Sequence, residues 1–175
     1  MIDIRGLSYF VAESADPVQW QRYATDVLGM MVSEAPAGGL YVKMDERPFR
    51  MLIVPGGVVD AAAACPATRA WVAQAAGAAQ ITASVCTGAF ILAAAGVLTE
   101  GPATTHWEDI ADLRTQYPAL DVLENLRWVD RGALVTSAGI SAGIDMSLHL
   151  VTRLLGAALS ERTARQMDTP WNPEP

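Results

Sequence analysis

Ile81-Thr82-Ala83-Ser84-Val85-Cys86-Thr87-Gly88-Ala89-Phe90 is the stretch whose reading decides the fold. Residues 81–85 are an apolar and small run with the length of a strand buried on both faces. Cys86-Thr87-Gly88 breaks that run, and residues 90–95 resume with helix-compatible apolar side chains closed near Gly96. Strand, small-residue turn and helix in this order is the layout of a nucleophile elbow. The strand would carry Cys86 to the carboxyl edge of a sheet. The helix beginning near Thr87 would aim its first N–H groups at the sulfur and favour the thiolate. Gly88 lets the turn pass close to neighbouring backbone. The plainer alternative, a small buried core cysteine, stays open.

Working outward, two further glycine turns follow predicted strands. Gly56-Gly57 ends a strand over 49–54, and Gly139-Ile140-Ser141-Ala142-Gly143 lies between a strand over 133–137 and an amphipathic helix over 145–159. Three such turns at the carboxyl ends of strands suit a ligand crevice in an open α/β sheet. The N–H groups of Gly57 and Thr87 are the candidates for an oxyanion hole. Between these landmarks the pattern predicts a helix over 66–76, a short strand over 103–105 leading to His106-Trp107, and a helix over 110–117. A hairpin turns at Asp130-Arg131-Gly132. Residues 169–175 contain three prolines and cannot be helical. Upstream, residues 4–11 read as a strand, and Asp16-Pro17 starts a helix that Gly29 stops. Short strands follow over 40–44 and 49–54.

The 175 residues are 51% hydrophobic, enough for a packed core, with net charge −7 and a pI near 4.7. That charge argues against a nucleic-acid partner. No unbroken apolar run is long enough for a membrane span, and residues 1–5 lack a signal-peptide layout, so a cytoplasmic protein without a membrane partner is expected. The two histidines, His106 and His149, are far apart and no CxxC spacing occurs, so no metal is expected. Cys65 reads as a small core residue, His149 as a packing residue of its helix, and Asp145 as a helix N-terminal acid. Trp20, Trp71 and Trp128 read as core or interface residues.

Four motifs in order carry a resemblance: Val54-Pro55-Gly56-Gly57, Ser84-Val85-Cys86-Thr87-Gly88, Ala103-Thr104-Thr105-His106-Trp107, and TSAGISAGID over 136–145. Together they resemble the ThiJ/PfpI (class I glutamine amidotransferase-like) family over about residues 52–171. Isonitrile hydratase-type members and the sensor domains of AraC-like regulators are the most similar. The resemblance implies a flavodoxin-like α/β sandwich with a mostly parallel sheet, commonly a homodimer, acting on a small molecule without metal or organic cofactor. It implies Cys86 as nucleophile and Thr87 as its oxyanion and hydroxyl partner. Gly57, Gly88, His106, Trp107, Gly139 and Ile140 would surround the pocket. Protease-like members place a histidine directly after the cysteine; Thr87 stands there, which argues against peptidase activity. The regulators carry a C-terminal DNA-binding module, and this sequence stops at Pro175.

The first 50 or so residues depart from that pattern. Residues 2–55 resemble instead the N-terminal βαββ module of type I extradiol dioxygenases, of the vicinal-oxygen-chelate superfamily. The stretches are Gly6-Leu7-Ser8-Tyr9, Val27-Leu28-Gly29-Met30, Leu40-Tyr41-Val42-Lys43-Met44-Asp45 and residues 50–56. The chain thus reads as a fusion, with a βαββ unit over 1–54 and a ThiJ/PfpI-like domain over 55–175. The iron ligands of those dioxygenases lie in later modules, and this segment has no histidine, so ring cleavage is not expected. The acidic D-x-x-G-P partner of the isonitrile hydratase cysteine is also missing. Asp16 or Glu13 could stand in for it, against the competing roles of N-cap and solvated side chain. Three functions follow: a cysteine-dependent hydratase or hydrolase of a small electrophile, a non-catalytic ligand- or redox-sensing domain, or a recombined chain without activity.

Overall fold

A computed structural model describes residues 17–22, 25–26, 31–35, 39–43 and 51–175. The chain divides into two compact units, Met1–Arg50 and Met51–Pro175. In the first, helix α1 is Pro17–Arg22, with proline at its start. Strands β1 (Met31–Ala35) and β2 (Gly39–Lys43) pair antiparallel, with Val32 opposite Val42. The expected strand over 4–11, Glu13, Asp16 and the turn over 45–48 lie outside the described residues.

The second unit is an α/β domain. Its main sheet runs β3 (Met51–Val54), β4 (Ile81–Val85), β8 (Leu134–Ser137), β7 (Trp128–Asp130). The first three are parallel and β7 is antiparallel to β8, closing the hairpin expected at Asp130-Arg131-Gly132. There Gly132 takes φ +83° while its N–H is held by the Asp130 carboxylate at 2.7 Å. A parallel pair, β5 (Gly101–Ala103) with β6 (Leu120–Val122), forms a second small sheet. The fold is flavodoxin-like with a mostly parallel sheet.

Helices α2 (Asp60–Ala64), α3 (Pro66–Ala78), α4 (Gly88–Ala94), α5 (Ile110–Gln116), α6 (Ile140–Leu155) and α7 (Ala157–Gln166) complete the unit. Strand β4 is buried along residues 81–84, as a strand covered on both faces must be. Its odd positions Ile81 and Ala83 pack with Trp128, Val135, and Met146 and Leu150 of α6, with Val85 packed against this cluster. On α4, Gly88 through Ala93 are all buried. No helix among the described residues is long and apolar enough to cross a membrane.

Helix α6 starts at Ile140, five residues earlier than the pattern predicts. Gly143 is therefore a helical residue, not part of a loop. It suits the site because a Cβ there would lie 2.8 Å from Val85 Cγ1. The helix ends where Gly156 adopts φ +92°, and α7 begins again behind it.

Candidate active site

The elbow is formed as its sequence dictates. Strand β4 delivers Cys86, Thr87 follows it, and α4 starts at Gly88. Cys86 takes φ +56°, a left-handed conformation uncommon outside glycine, which costs on the order of 1–2 kcal/mol. Neighbouring groups hold it there. The Cys86 N–H is shared between the carbonyls of Ser137 (3.1 Å) and Ala138 (3.0 Å) at the end of β8. Its own carbonyl accepts the Thr105 hydroxyl at 2.9 Å. Cys86 is half-buried, not sealed in the core.

Glycines make the close packing possible. A Cβ on Gly56 would sit 2.7 Å from Cys86 Cβ and 2.8 Å from Thr87 N; one on Gly88 would sit 2.3 Å from the Val54 carbonyl oxygen. The turn after β3 and the start of α4 are thus pressed together at backbone distance.

This packing changes the assignment of the oxyanion donors. The Gly57 N–H, expected to face developing charge, donates to Thr87 Oγ1 at 2.9 Å. The Thr87 hydroxyl in turn donates to the Gly57 carbonyl at 2.8 Å. Both groups are spent on each other, so Gly57 is a brace for the elbow and the Thr87 side chain is its counterpart. The N–H groups of Thr87 and Gly88 have no acceptor among the described residues and are the donors adjacent to Cys86.

His106 approaches from β5. Thr104 anchors that segment: its N–H donates to Thr136 Oγ1 at 2.9 Å and its hydroxyl to the Leu123 carbonyl at 2.9 Å. The His106 Nδ1 lies 3.4 Å from Asp109 Oδ2 and 3.5 Å from Glu108 Oε2. The opposite edge of the ring lies against Gly139, where a Cβ would be 3.1 Å from Cδ2. Trp107 and Ile140, expected to line the pocket, are 75% and 84% exposed. Trp107 opens the Trp107–Asp109 turn and Ile140 is the first residue of α6. Among the described residues no hydrogen bond or ion pair reaches the Cys86 sulfur, and the candidate acids Asp16 and Glu13 lie outside them.

Two other expectations need correction, those for Asp145 and Cys65, whereas His149 packs as expected. Asp145 is buried and ion-paired with Arg127, so it is a core acid with a dedicated cation and not a helix-start residue. His149 stacks on Trp128 and its Nε2 lies 2.6 Å from Asp130 Oδ2, a carboxylate that Arg153 also binds. Cys65 is half-buried at the start of α3 rather than in the core. A separate shallow groove of about 360 Å³ opens at the amino end of β4, around Thr82, Gly77 and Ala133, and carries no titratable side chain.

Sequence reasoning gave no role to Thr105, Glu108 or Asp109. The doubled threonine before His106 was the available signal, since two β-branched hydroxyls at a strand end are placed to tie neighbouring carbonyls.

A half-buried cysteine on a strained strand-to-helix elbow, at the carboxyl edge of a parallel sheet, defines the class as ThiJ/PfpI (DJ-1-like) for the second unit. A ThiJ/PfpI family protein from Pseudomonas syringae is 30% identical, covering 83% of this chain and 61% of that one, with a TM-score of 0.63. More particularly, isonitrile hydratase of Pseudomonas putida is 42% identical over 95 residues, 54% of this chain and 40% of that protein. The HTH-type transcriptional regulator CdhR of Pseudomonas aeruginosa is 34% identical over 116 residues, 66% of this chain and 34% of its own length. The chain therefore matches less than half of either curated relative. At the other end, residues 7–56 match the family model for dihydroxybiphenyl dioxygenase BphC D1. The regulators overturn the exclusion of nucleic acid drawn from charge: several relatives are HTH-type transcriptional regulators, so an acidic domain of this class does not rule out such a partner.

Proposed function

We propose that the chain is a cysteine-dependent hydratase of a small electrophilic molecule, of the isonitrile hydratase kind. The observation that carries this reading is the half-buried Cys86 at φ +56°, braced by Ser137, Ala138 and Thr105, beside the open N–H groups of Thr87 and Gly88. In the reaction, the Cys86 thiolate adds to the terminal carbon of R–NC and that carbon takes a proton, giving a thioimidate, RN=CH–S–Cys86. Water adds to it, and the tetrahedral adduct expels the thiolate and leaves the formamide R–NH–CHO. Net, one water is consumed and no electrons are exchanged. Thr87 and Gly88 N–H groups stabilise the developing negative charge. No step requires a metal or an organic cofactor.

The test is formation of an N-substituted formamide from an aryl isonitrile by the wild type and by Cys86→Ala. Alanine at a left-handed position adds no strain that cysteine does not already have. The variant is expected to lose activity by at least about 10²-fold, and equal rates would exclude the cysteine mechanism.

A second reading is favoured by the regulator relatives and by the absence of an acid on the Cys86 sulfur among the described residues. In it the domain binds a small ligand, or responds to oxidation at Cys86, without turnover. A Cys86 thiol that is alkylated readily in a protein giving no formamide would select this reading.

A further inference from the structure

We propose that Arg127 and Asp145 are positioning residues for Cys86: their ion pair clamps Ser137 and Ala138, whose carbonyls hold the cysteine in its left-handed conformation. This deepens the hydratase reading and rests on it for the turnover part of the test alone.

The backbone of Cys86 has to be held. At φ +56° it occupies a region that L residues leave unless their surroundings fix them there. Its N–H is shared by the carbonyls of Ser137 and Ala138. Both of those residues are secured in turn by the start of β7. Ser137 pairs with Trp128 across the antiparallel ladder. The Ala138 N–H donates to the Arg127 carbonyl at 2.9 Å. One residue further on, Gly139 is the N-cap of α6, and its carbonyl accepts the Gly143 N–H at 3.1 Å. Asp145, in the second turn of that helix, accepts Nε and Nη2 of Arg127 on a single oxygen, Oδ2. The contacts close a ring: from the Arg127 main chain through Ala138, Gly139 and the first turns of α6 to Asp145, and back through the guanidinium. The carbonyl of Ala138 that grips Cys86 belongs to that ring.

The pair suits this task better than an apolar contact would. Asp145 is 4% exposed, so its carboxylate has left water and depends on a cation. Among the described residues Arg127 is the cation that it meets. A guanidinium fork fixes direction as well as distance. Strand β7 is three residues long and lies at the edge of the described sheet. Arg127 stands just before it, outside the ladder, and is fixed by the ion pair and by its bond from Ala138. The Arg127 side chain is 42% exposed, so solvent screens part of its charge and the pair acts as a directional tie more than as a source of stability.

The experiment uses the full chain. Arg127→Met/Asp145→Leu removes the pair without leaving a bare carboxylate in the core, a replacement that buried pairs commonly tolerate. Arg127→Lys keeps the charge but has one nitrogen where the guanidinium uses two. Alkylation by iodoacetamide is followed for both cysteines by peptide mass spectrometry, with Cys65 as internal reference, and amide hydrogen exchange is followed in the same proteins. The double variant is expected to slow Cys86 alkylation about 10-fold with the Cys65 rate unchanged, and Arg127→Lys about threefold. Exchange at the Cys86 and Ala138 amides should rise about 10-fold while the amides of residues 82–84 keep their protection. In turnover of an aryl isonitrile, the double variant should lose about 10-fold in kcat with KM unchanged. A Cys86-to-Cys65 rate ratio equal to that of the wild type overturns the proposal. So does exchange that rises alike along all of β4, because the pair would then only stabilise the fold. Should the double variant not fold, Arg127→Lys decides by the same ratio. If the wild type forms no formamide, the hydratase reading fails, and alkylation and exchange still decide whether the pair positions Cys86.

Discussion

Replacing Gly88 by alanine adds one methyl group at the point where α4 rests on the end of β3. The new Cβ would stand 2.3 Å from the Val54 carbonyl oxygen and 3.0 Å from that of Pro55. A carbon–oxygen contact of about 3.3–3.6 Å is the ordinary limit, so the deficit at Val54 is roughly 1 Å. Neither oxygen belongs to a flexible side chain, so relief requires α4 to lift from the sheet or β3 to slide along β4. Overpacking of this kind costs about 1–3 kcal/mol, and with two backbone carbonyls the upper end applies, ~3 kcal/mol. With a urea slope of about 2 kcal/mol/M, the unfolding midpoint falls by roughly 1.5 M. Gly77→Ala is the control. It lies in α3, nothing would stand within 4 Å of its Cβ, and alanine is the better helix former by up to about 1 kcal/mol. The same substitution therefore has opposite signs at two helical glycines: urea unfolding followed by circular dichroism should place Gly77→Ala at or above wild type and Gly88→Ala well below it. A Gly88→Ala midpoint equal to that of Gly77→Ala would refute the close contact of α4 with β3 and the elbow geometry built on it.

Two further outcomes follow from titratable groups. Burial pushes the Asp130 carboxyl up, but hydrogen bonds from His149, the Gly132 N–H and Arg153 outweigh it and hold the group below its usual range. A carboxyl depressed in the folded state contributes stability above its unfolded-state value and loses it as pH falls through the folded value. Asp130→Asn should therefore cost roughly 1–2 kcal/mol near pH 7, with the gap to wild type closing in the acid range; urea titrations showing a constant gap would contradict this. The Thr68 hydroxyl, then the N–H groups of Thr68 and Ala67, hold the Cys65 thiol below its ordinary range. Thr68→Ala should slow alkylation of Cys65 at neutral pH severalfold, read by peptide mass spectrometry, and an unaltered rate would dismiss that cause.

The elbow was legible because it is local. A buried five-residue strand, a cysteine and a glycine fix its shape within eight residues, and the β7–β8 hairpin was readable for the same reason. What holds the elbow was not legible. Thr105 reaches Cys86 across 19 positions and Gly57 meets Thr87 across 30, and no pattern along the chain encodes such pairs. The start of α6 was set too late because glycines at 139 and 143 look like a loop, whereas Gly143 is a helical residue kept small by Val85. Trp107 and Ile140 were expected around the pocket from the resemblance, but a shared motif does not say how far a side chain is exposed, and both are largely open to solvent. The inference from net charge failed differently: it describes the average surface and not the partners of relatives built on the same fold.

Strand β3 has one more consequence. Residues 51–56 fall both within the stretch matched by the dioxygenase family model, 7–56, and within the compact unit that begins at Met51. What the α/β sheet demands of them is little: alternate buried aliphatics at Leu52 and Val54, then a glycine thin enough to slip under a cysteine. A stretch matched by the dioxygenase family model meets that demand here. A junction between the two matches anywhere in these six positions would leave the core of the α/β unit unchanged so long as that demand is met.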